Sequence, residues 1–125
     1  MVVCMNRVFV RLLRKANIDD DTINAAIREV VQGNRVPLGH GLFKKRIASS
    51  YQGKRGAYRS ILYYRSGRLM VFIYLFAKND RENITPKEMN ELVQIARAYD
   101  SLNGQSIEMA ISQERLRRWK YETNQ

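Results

Sequence analysis

With 125 residues, the chain is long enough for one domain with its own hydrophobic core but too short for two ordinary domains. Hydrophobic residues make up 45% of the chain, which argues against disorder, and its longest apolar run, Leu69 to Ala77, is far shorter than a membrane-spanning helix. The formal net charge of +10 favours a polyanionic partner.

The N-terminal residues and the counts of cysteine and histidine bear on location and metal binding. Met1 to Met5 is a short apolar run followed at once by Arg7 and Arg11, so we expect a cytosolic protein rather than a secreted one. A single cysteine, Cys4, and a single histidine are too few for a zinc site, so we expect no metal cofactor. We also expect Cys4 to be inert, because it lies in a segment predicted to be frayed and has no base nearby.

The first part of the chain predicts a short strand and then a helix. Asn6 to Val10 is rich in β-branched and aromatic residues and predicts the strand, whereas Leu12 to Ala16 could be a helical turn or its continuation. Asp19 to Asp21 offers capping side chains, and the apolar residues after it recur at helical spacing. We therefore expect a helix over Asp20 to Gln32. The acidic run could also bind a metal ion, although helix capping is the simpler explanation.

Three strands are predicted in the middle of the chain. They lie in Leu42 to Ala48, Tyr58 to Arg65 and Leu69 to Asp80, which are rich in aromatic and β-branched residues and bounded by turn residues. Ser66-Gly67 predicts a hairpin between the second and the third. His40, in the loop before the first strand, could act as an acid or base near neutral pH, but a lone loop histidine is more often a bystander.

The last part of the chain predicts two helices and a strand. Thr85 to Glu88 forms a capping box with proline at the first helical position, so we expect a helix over Pro86 to Leu102. A shorter helix is predicted after Asn103-Gly104, and Leu116 to Tyr121 alternates in a way that could form an edge strand. The fold class predicted for residues 1–125 is a single α+β domain, a twisted antiparallel sheet of about four or five strands with helices packed on it.

The positive charge is concentrated in the predicted strands. No acidic residue lies between Glu29 and Asp80, whereas ten basic residues do, so the whole net charge of +10 falls in this block. A protein that needed cations only for solubility would mix both signs across its surface. Nucleic acid is the simplest polyanion that such a block would bind. The ten residues are Arg35, Lys44, Lys45, Arg46, Lys54, Arg55, Arg59, Arg65, Arg68 and Lys78.

Several phrases of the sequence resemble the RelE/ParE toxin superfamily, and most closely its HigB-type branch. They are the glycine-lysine-arginine loop that leads to Tyr-Arg in Gly53 to Arg59, the strand Ile61 to Tyr64, and the phrase Phe76 to Ile84. The resemblance spans roughly Val8 to Tyr121. It implies a toxin of a type II toxin–antitoxin pair that is silenced by an antitoxin protein. When free, such a toxin enters the ribosome and cleaves messenger RNA in the decoding site without a metal or other cofactor.

The resemblance also implies roles for particular residues. Lys44 and Arg46 resemble two basic positions on the family's second strand, and Arg59 resembles the arginine of its Tyr-Arg pair. Arg59 would hold the scissile phosphate, and Lys44 or Arg46 would act as the base or position the RNA. Lys78 or Asp80, in the segment that closes the last central strand, would serve the leaving group.

Some members of the family use a tyrosine downstream of this segment. The corresponding position falls near Asn83 or Ile84 here, so the general acid is open. The other cations of the block are candidates for binding RNA or the ribosome, namely Lys45, Lys54, Arg55, Arg65 and Arg68. For Lys44, Lys45, Lys54 and Arg55, phosphate positioning without chemistry is as good an explanation as catalysis. We expect the aromatic residues Tyr63, Tyr64, Phe72, Tyr74 and Phe76 to form core rather than base-stacking platforms.

Two other functions are compatible with the sequence. The ParE branch is thought to inhibit DNA gyrase without catalysis on the same fold, and the missing tyrosine favours this alternative. The dense cation cluster with Arg59 favours the nuclease. A plain RNA-binding module is a third possibility, but the chain carries no motif for sequence-specific RNA recognition.

Overall fold

The computed structural model of the protein describes residues 1–48, 57–77 and 83–121. Within them the elements follow the order β1 (Val2–Asn6), α1 (Arg7–Ala16), α2 (Asp20–Val31), β2 (Val36–Gly39), β3 (Leu42–Ile47), β4 (Tyr58–Arg65), β5 (Leu69–Ala77), α3 (Pro86–Asp100), α4 (Gly104–Ser112) and β6 (Leu116–Arg118). The three central strands, the two main helices, the short C-terminal helix and the edge strand are therefore confirmed. None of the helices in these ranges is long and apolar enough to cross a membrane.

The strands form one sheet in the order β2-β3-β4-β5-β1-β6. Neighbouring strands are antiparallel, except for the parallel pair of β1 and β5. The described sheet has six strands rather than the predicted four or five. The additional strand is β2, which was not predicted because it is short and contains Pro37. Proline has no backbone N–H to donate, and a strand at the edge of the sheet tolerates it because its outer side has no strand to pair with.

The N-terminal prediction was wrong in its boundaries. The strand lies at Val2–Asn6, where fraying was expected, and Asn6 caps helix α1, which begins at Arg7 where a strand was expected. The Asn6 side chain accepts a hydrogen bond from the backbone N–H of Phe9 at 2.8 Å, which is the usual way an asparagine caps a helix. Cys4 is fully buried in β1, and this burial raises the pKa of its thiol to about 11, which suits an inert cysteine.

Both faces of strand β5 are covered. On one face, Phe9 of α1 and Ile27 of α2 pack against Phe72 of β5, and the Phe9 and Phe72 rings lie 5.0 Å apart. On the other face, Ala96 of α3 and Ile107 of α4 lie in a second apolar cluster with neighbours of Phe72 along the same strand. A strand covered on both sides has no polar face, which explains the continuous apolar run of β5.

The three consecutive antiparallel strands β3, β4 and β5 define two distinct ends of the sheet. Ile47, Tyr58 and Ala77 lie side by side at one end, which we term the site end. At the opposite end, termed the far end, Arg65 lies beside Leu69. The C-terminal end of α3 packs over the far end, so the two ends differ in what covers them.

Candidate functional site

Three cations share one face of the sheet near the site end. Leu42 of β3 and Ile61 of β4 belong to the core beneath α3 and α4. Along β3, two cations follow Leu42 at even spacing, Lys44 and Arg46, and along β4 Arg59 lies two residues before Ile61. Because side chains two residues apart on a strand point to the same face, these three cations share the face of Leu42 and Ile61. Arg46 is exposed, and Lys44 and Arg59 are half-buried. We term these three side chains the basic face.

Arg46 and Arg59 are direct cross-strand partners in the pairing of β3 with β4. Directly opposite residues have β-carbons about 5 Å apart, and like charges at that separation destabilise a sheet. On its other side Arg59 is paired with Phe76 of β5, which is buried in the apolar cluster beneath α3. The arginine pair therefore stands between apolar core and solvent, where a bound anion would relieve the repulsion.

The guanidinium of Arg59 has spare hydrogen-bonding capacity. Its Nη1 atom is buried and has no hydrogen-bond partner among the described residues. Leaving a buried charged donor unpaired is costly, and native proteins do so mainly where a ligand or water completes the bond. A phosphate oxygen is a suitable acceptor, because a guanidinium can hold a phosphate with two parallel hydrogen bonds.

Lys45 lies on the other face of the sheet, although it is next to Lys44 in sequence. Its Nζ atom is 2.7 Å from Oε1 of Glu29 on α2, and its side chain is only 5% exposed. Its backbone carbonyl also accepts a hydrogen bond of 2.9 Å from the Ser60 hydroxyl. Contact with RNA would require this ion pair to break, so we assign Lys45 to the packing of α2 on the sheet.

Arg65 and Arg68 lie at the far end, away from the basic face. The Nη1 and Nη2 atoms of Arg65 donate to the backbone carbonyls of Asp100 and Leu102 at 3.0 and 2.7 Å. These bonds hold the last turn of α3, where helix carbonyls lack partners within the helix. Arg68 is exposed in the β4–β5 turn. The geometry therefore gives Arg65 a structural role and separates both residues from the basic face.

Two tyrosines complete the contact between α3 and the far end. The Tyr63 hydroxyl donates to Oδ1 of Asp100 at 2.6 Å, and its ring meets that of Tyr99 edge to face at 5.6 Å. Burial, followed by the hydrogen bond to Asp100, raises the pKa of Tyr63 to about 12. Burial likewise raises the pKa of Tyr99 to about 12. The expectation that Tyr63 forms core is confirmed.

The β2–β3 turn also lies at the far end. Gly41 has a φ of +80°, and a β-carbon on it would lie 2.9 Å from the Tyr63 ring, so only glycine fits there. His40, beside it, is exposed and sits at the opposite end of β3 from Arg46. The structure thus separates this histidine from the basic face.

Four predicted site residues lie outside the described residues, namely Lys54, Arg55, Lys78 and Asp80. They belong to stretches 49–56 and 78–82, which follow Ala48 and Ala77 in the chain. Their roles stay predictions. The expected core aromatic residues Tyr64, Phe72 and Phe76 are buried, whereas Tyr74 is half-buried.

Comparison with protein families agrees with the resemblance noted in the sequence. The model of the RelE toxin of the RelE/RelB toxin–antitoxin system matches residues 1–118. The chain belongs to the RelE toxin family. A comparison with curated proteins finds no match. Membership in the RelE family makes the protein the toxin of a toxin–antitoxin system and implies a cognate antitoxin as its partner.

This RelE-family toxin also carries a second group of cations that the sequence analysis missed. Arg7, Arg11 and Arg14 of α1 lie beside Arg117 of β6 around one groove. A count of charge along the chain hides this group, because each of its two segments is nearly neutral overall. The available signal was the spacing of the three α1 arginines, which puts them on one side of a helix.

Proposed function

We propose that this RelE-family toxin cleaves messenger RNA on the ribosome and so stops translation. The observation that carries the proposal is Arg59, whose buried Nη1 atom lacks a partner among the described residues and which lies directly opposite Arg46 in the strand pair. Two arginines in that relation form a site for one phosphate group rather than a structural pair. Lys44 on the same face adds a third cation.

The reaction uses the 2′-hydroxyl of the RNA as its nucleophile. The 2′-oxygen attacks the neighbouring phosphorus, the bond from phosphorus to the 5′-oxygen breaks, and a 2′,3′-cyclic phosphate and a 5′-hydroxyl result. A base takes the proton of the 2′-hydroxyl, and an acid gives one to the leaving 5′-oxygen. Negative charge builds up on the phosphate oxygens in the transition state, and in this proposal Arg59 stabilises it.

The chemistry of the side chains divides the remaining roles. An arginine stays protonated in proteins, so Arg46 cannot act as the base and serves instead as a second phosphate ligand. Lys44 can lose a proton, which makes it the candidate base within the basic face. Lys78 and Asp80, outside the described residues, are kept as candidates for the general acid.

The proposal is tested by primer extension on a reporter message in a translation extract, with and without ribosomes. We expect cuts in frame with codons, only when ribosomes are present, and a strong loss of cutting with Arg59→Lys. Arg68→Lys is the matched control, because it changes an exposed cation at the far end. Intact message together with inhibited DNA supercoiling would overturn the proposal in favour of gyrase inhibition.

A further inference from the structure

A groove with a volume of about 580 Å³ runs between α1, β6 and the segment that follows α4. Arg7, Arg11 and Arg14 line its α1 side, and Arg117 lines its β6 side. A second cavity of about 350 Å³ shares Arg14 and Arg117 with it and extends it towards Trp119. Together they form one continuous depression at the β6 edge of the sheet, which we term the arginine groove.

The arginine groove is separate from the basic face. Arg117 is paired with Met5, whose side chain belongs to the core beneath α1 and α2, so Arg117 points to that face. The basic face lies on the other side of the sheet, the side on which α3 and α4 pack. Three strand spacings, about 14 Å, also separate β6 from β4 within the sheet. A ligand in the groove would therefore leave Arg59 uncovered.

The arrangement of arginines on α1 costs stability. Arg7, Arg11 and Arg14 are spaced so that their charges repel along one side of the helix, and α1 contains no acidic residue to offset them. Arg7 also occupies the first helical position, where the helix dipole disfavours a cation. Its Nε atom donates to the backbone carbonyl of Glu114 at 3.0 Å, which is a neutral acceptor, and Arg7 forms no ion pair among the described residues.

The rest of the groove shows what kind of ligand would supply the missing negative charge. The side chains of Arg11, Arg14 and Arg117 are exposed and have no ion pair among the described residues, whereas Arg118 is bound to Glu108. Besides the arginines, the lining has four apolar residues, Met5, Val10, Ile111 and Leu116, and one acidic residue, Glu114. An RNA backbone presents phosphates and hydroxylated sugars rather than apolar side chains, so it matches the apolar part of this lining poorly. A peptide that alternates acidic and apolar side chains would pack against the apolar lining and pair with the arginines.

We propose that the arginine groove binds an acidic, amphipathic segment of the cognate antitoxin. The proposal rests on membership in the RelE family, which brings an antitoxin partner, and is independent of messenger RNA cleavage. An antitoxin held there neutralises by its bulk, because it keeps the toxin from entering the ribosome without masking the basic face. The alternative, in which the antitoxin covers Lys44, Arg46 and Arg59 directly, would place it on the other side of the sheet.

The test is a titration of the purified cognate antitoxin against toxin variants, in the absence of ribosomes. Arg11→Glu combined with Arg14→Glu should weaken binding by about 10- to 100-fold at low salt, and by less at high salt. The matched control is Lys87→Glu combined with Arg97→Glu on α3, which makes the same charge change on an exposed helix elsewhere. It should change the affinity by no more than about twofold.

A milder variant separates binding from folding. Arg11→Gln with Arg14→Gln removes the repulsion along α1, so it should unfold at a slightly higher temperature than the wild type and still bind antitoxin more weakly. Unchanged antitoxin affinity, or an equal loss in the α3 control, would overturn the proposal. Weaker ribosome binding with full antitoxin affinity would also overturn it and make the groove an RNA-binding surface.

Discussion

Arg59 and Arg65 are the same residue type on the same face of β4, yet their surroundings are opposite. Arg65 donates two hydrogen bonds to backbone carbonyls at the end of α3. Each arginine has one buried guanidinium nitrogen without a partner among the described residues, Nη1 in Arg59 and Nε in Arg65, but of the two it is Arg59 that lies directly opposite another arginine, Arg46. The end of a helix supplies the acceptors in one case, and in the other they would have to come from a ligand. Location relative to α3 therefore separates a structural arginine from a candidate catalytic one.

Lys44 and Lys45 repeat the contrast across the sheet. They are adjacent in sequence, but the alternation of β3 sends Lys45 beneath α2, where Glu29 neutralises it at 2.7 Å. Lys44 points to the other face, beside Arg46 and Arg59 in the register of β3 and β4. A cation that is paired inside the fold has little to offer RNA, whereas Lys44 forms no ion pair among the described residues and can contact a phosphate.

The largest effect is expected for chemistry at Arg59. Arg59→Lys keeps the charge but loses the planar pair of donors, so cleavage should fall by about 100-fold or more while ribosome affinity changes little. Single-turnover cleavage and pelleting with ribosomes measure the two quantities. Arg65→Lys should leave the cleavage rate of the folded protein near that of the wild type. Equal losses of binding and cleavage in Arg59→Lys would reduce Arg59 to a docking residue.

For the free energy of unfolding, by contrast, we expect the larger effect at Arg65. Arg65→Gln removes two charge-assisted hydrogen bonds to the end of α3, and we expect the free energy of unfolding to drop by about 2 kcal/mol. Arg68→Gln, in the exposed turn nearby, should change it by less than about 0.5 kcal/mol. Urea unfolding of both variants provides the measurement. A drop for Arg68→Gln as large as that for Arg65→Gln would show that the helix-end bonds are not the cause.

The two neighbouring lysines should differ in how their loss affects RNA binding. Lys44→Met should lower the slope of log affinity against log salt for ribosome binding by about one, the loss of a single phosphate contact. Lys45→Met should leave that slope unchanged and alter the free energy of unfolding by about 1 kcal/mol or less, because Glu29 is half exposed and can be hydrated. Identical slopes in the two variants would contradict the assignment of the two faces.

The smallest effect is expected for the stability of the folded protein at alkaline pH. The ordinary pKa of tyrosine is about 10, and that of Tyr63 in the folded protein is raised to about 12. Between these values the unfolded chain loses a proton that the folded protein keeps, so stability is full below pH 10 and falls as the pH rises towards 12. Tyr63→Phe should flatten this fall, although Tyr99 contributes a part of its own. Thermal unfolding across this pH range measures it, and an unchanged slope in Tyr63→Phe would contradict the assignment.

Patterns carried by neighbouring residues were predicted well. The capping box is present, with the Thr85 hydroxyl accepting from the N–H of Glu88 at 3.1 Å and the Glu88 carboxylate accepting from that of Thr85 at 2.9 Å. The apolar run of β5 and the hairpin before it also formed as expected. Such signals are local, because they depend on residues that touch through one turn of helix or one turn of chain.

The N-terminal segment was predicted less well because its partners are distant in sequence. Val2–Asn6 is a strand only because β5 and β6 lie on either side of it, more than 60 and 100 residues further along the chain. The β-branched residues of α1 predicted a strand there, but the Asn6 cap and the burial of Phe9 against Phe72 decide for a helix. Tertiary packing overrides a weak local preference in such cases.

The sequence alone determined the fold class, the charge of the central strands and the likeness to RelE toxins, because composition, spacing and short phrases are properties of the chain itself. Only the tertiary structure decided which cations are free. In the folded protein Lys45 forms an ion pair with Glu29, and Arg65 donates hydrogen bonds at the end of α3. The α1 arginines line one groove together with Arg117. The charged residues can be read from the sequence, but whether a charge has a partner depends on residues that only folding brings within a few ångströms.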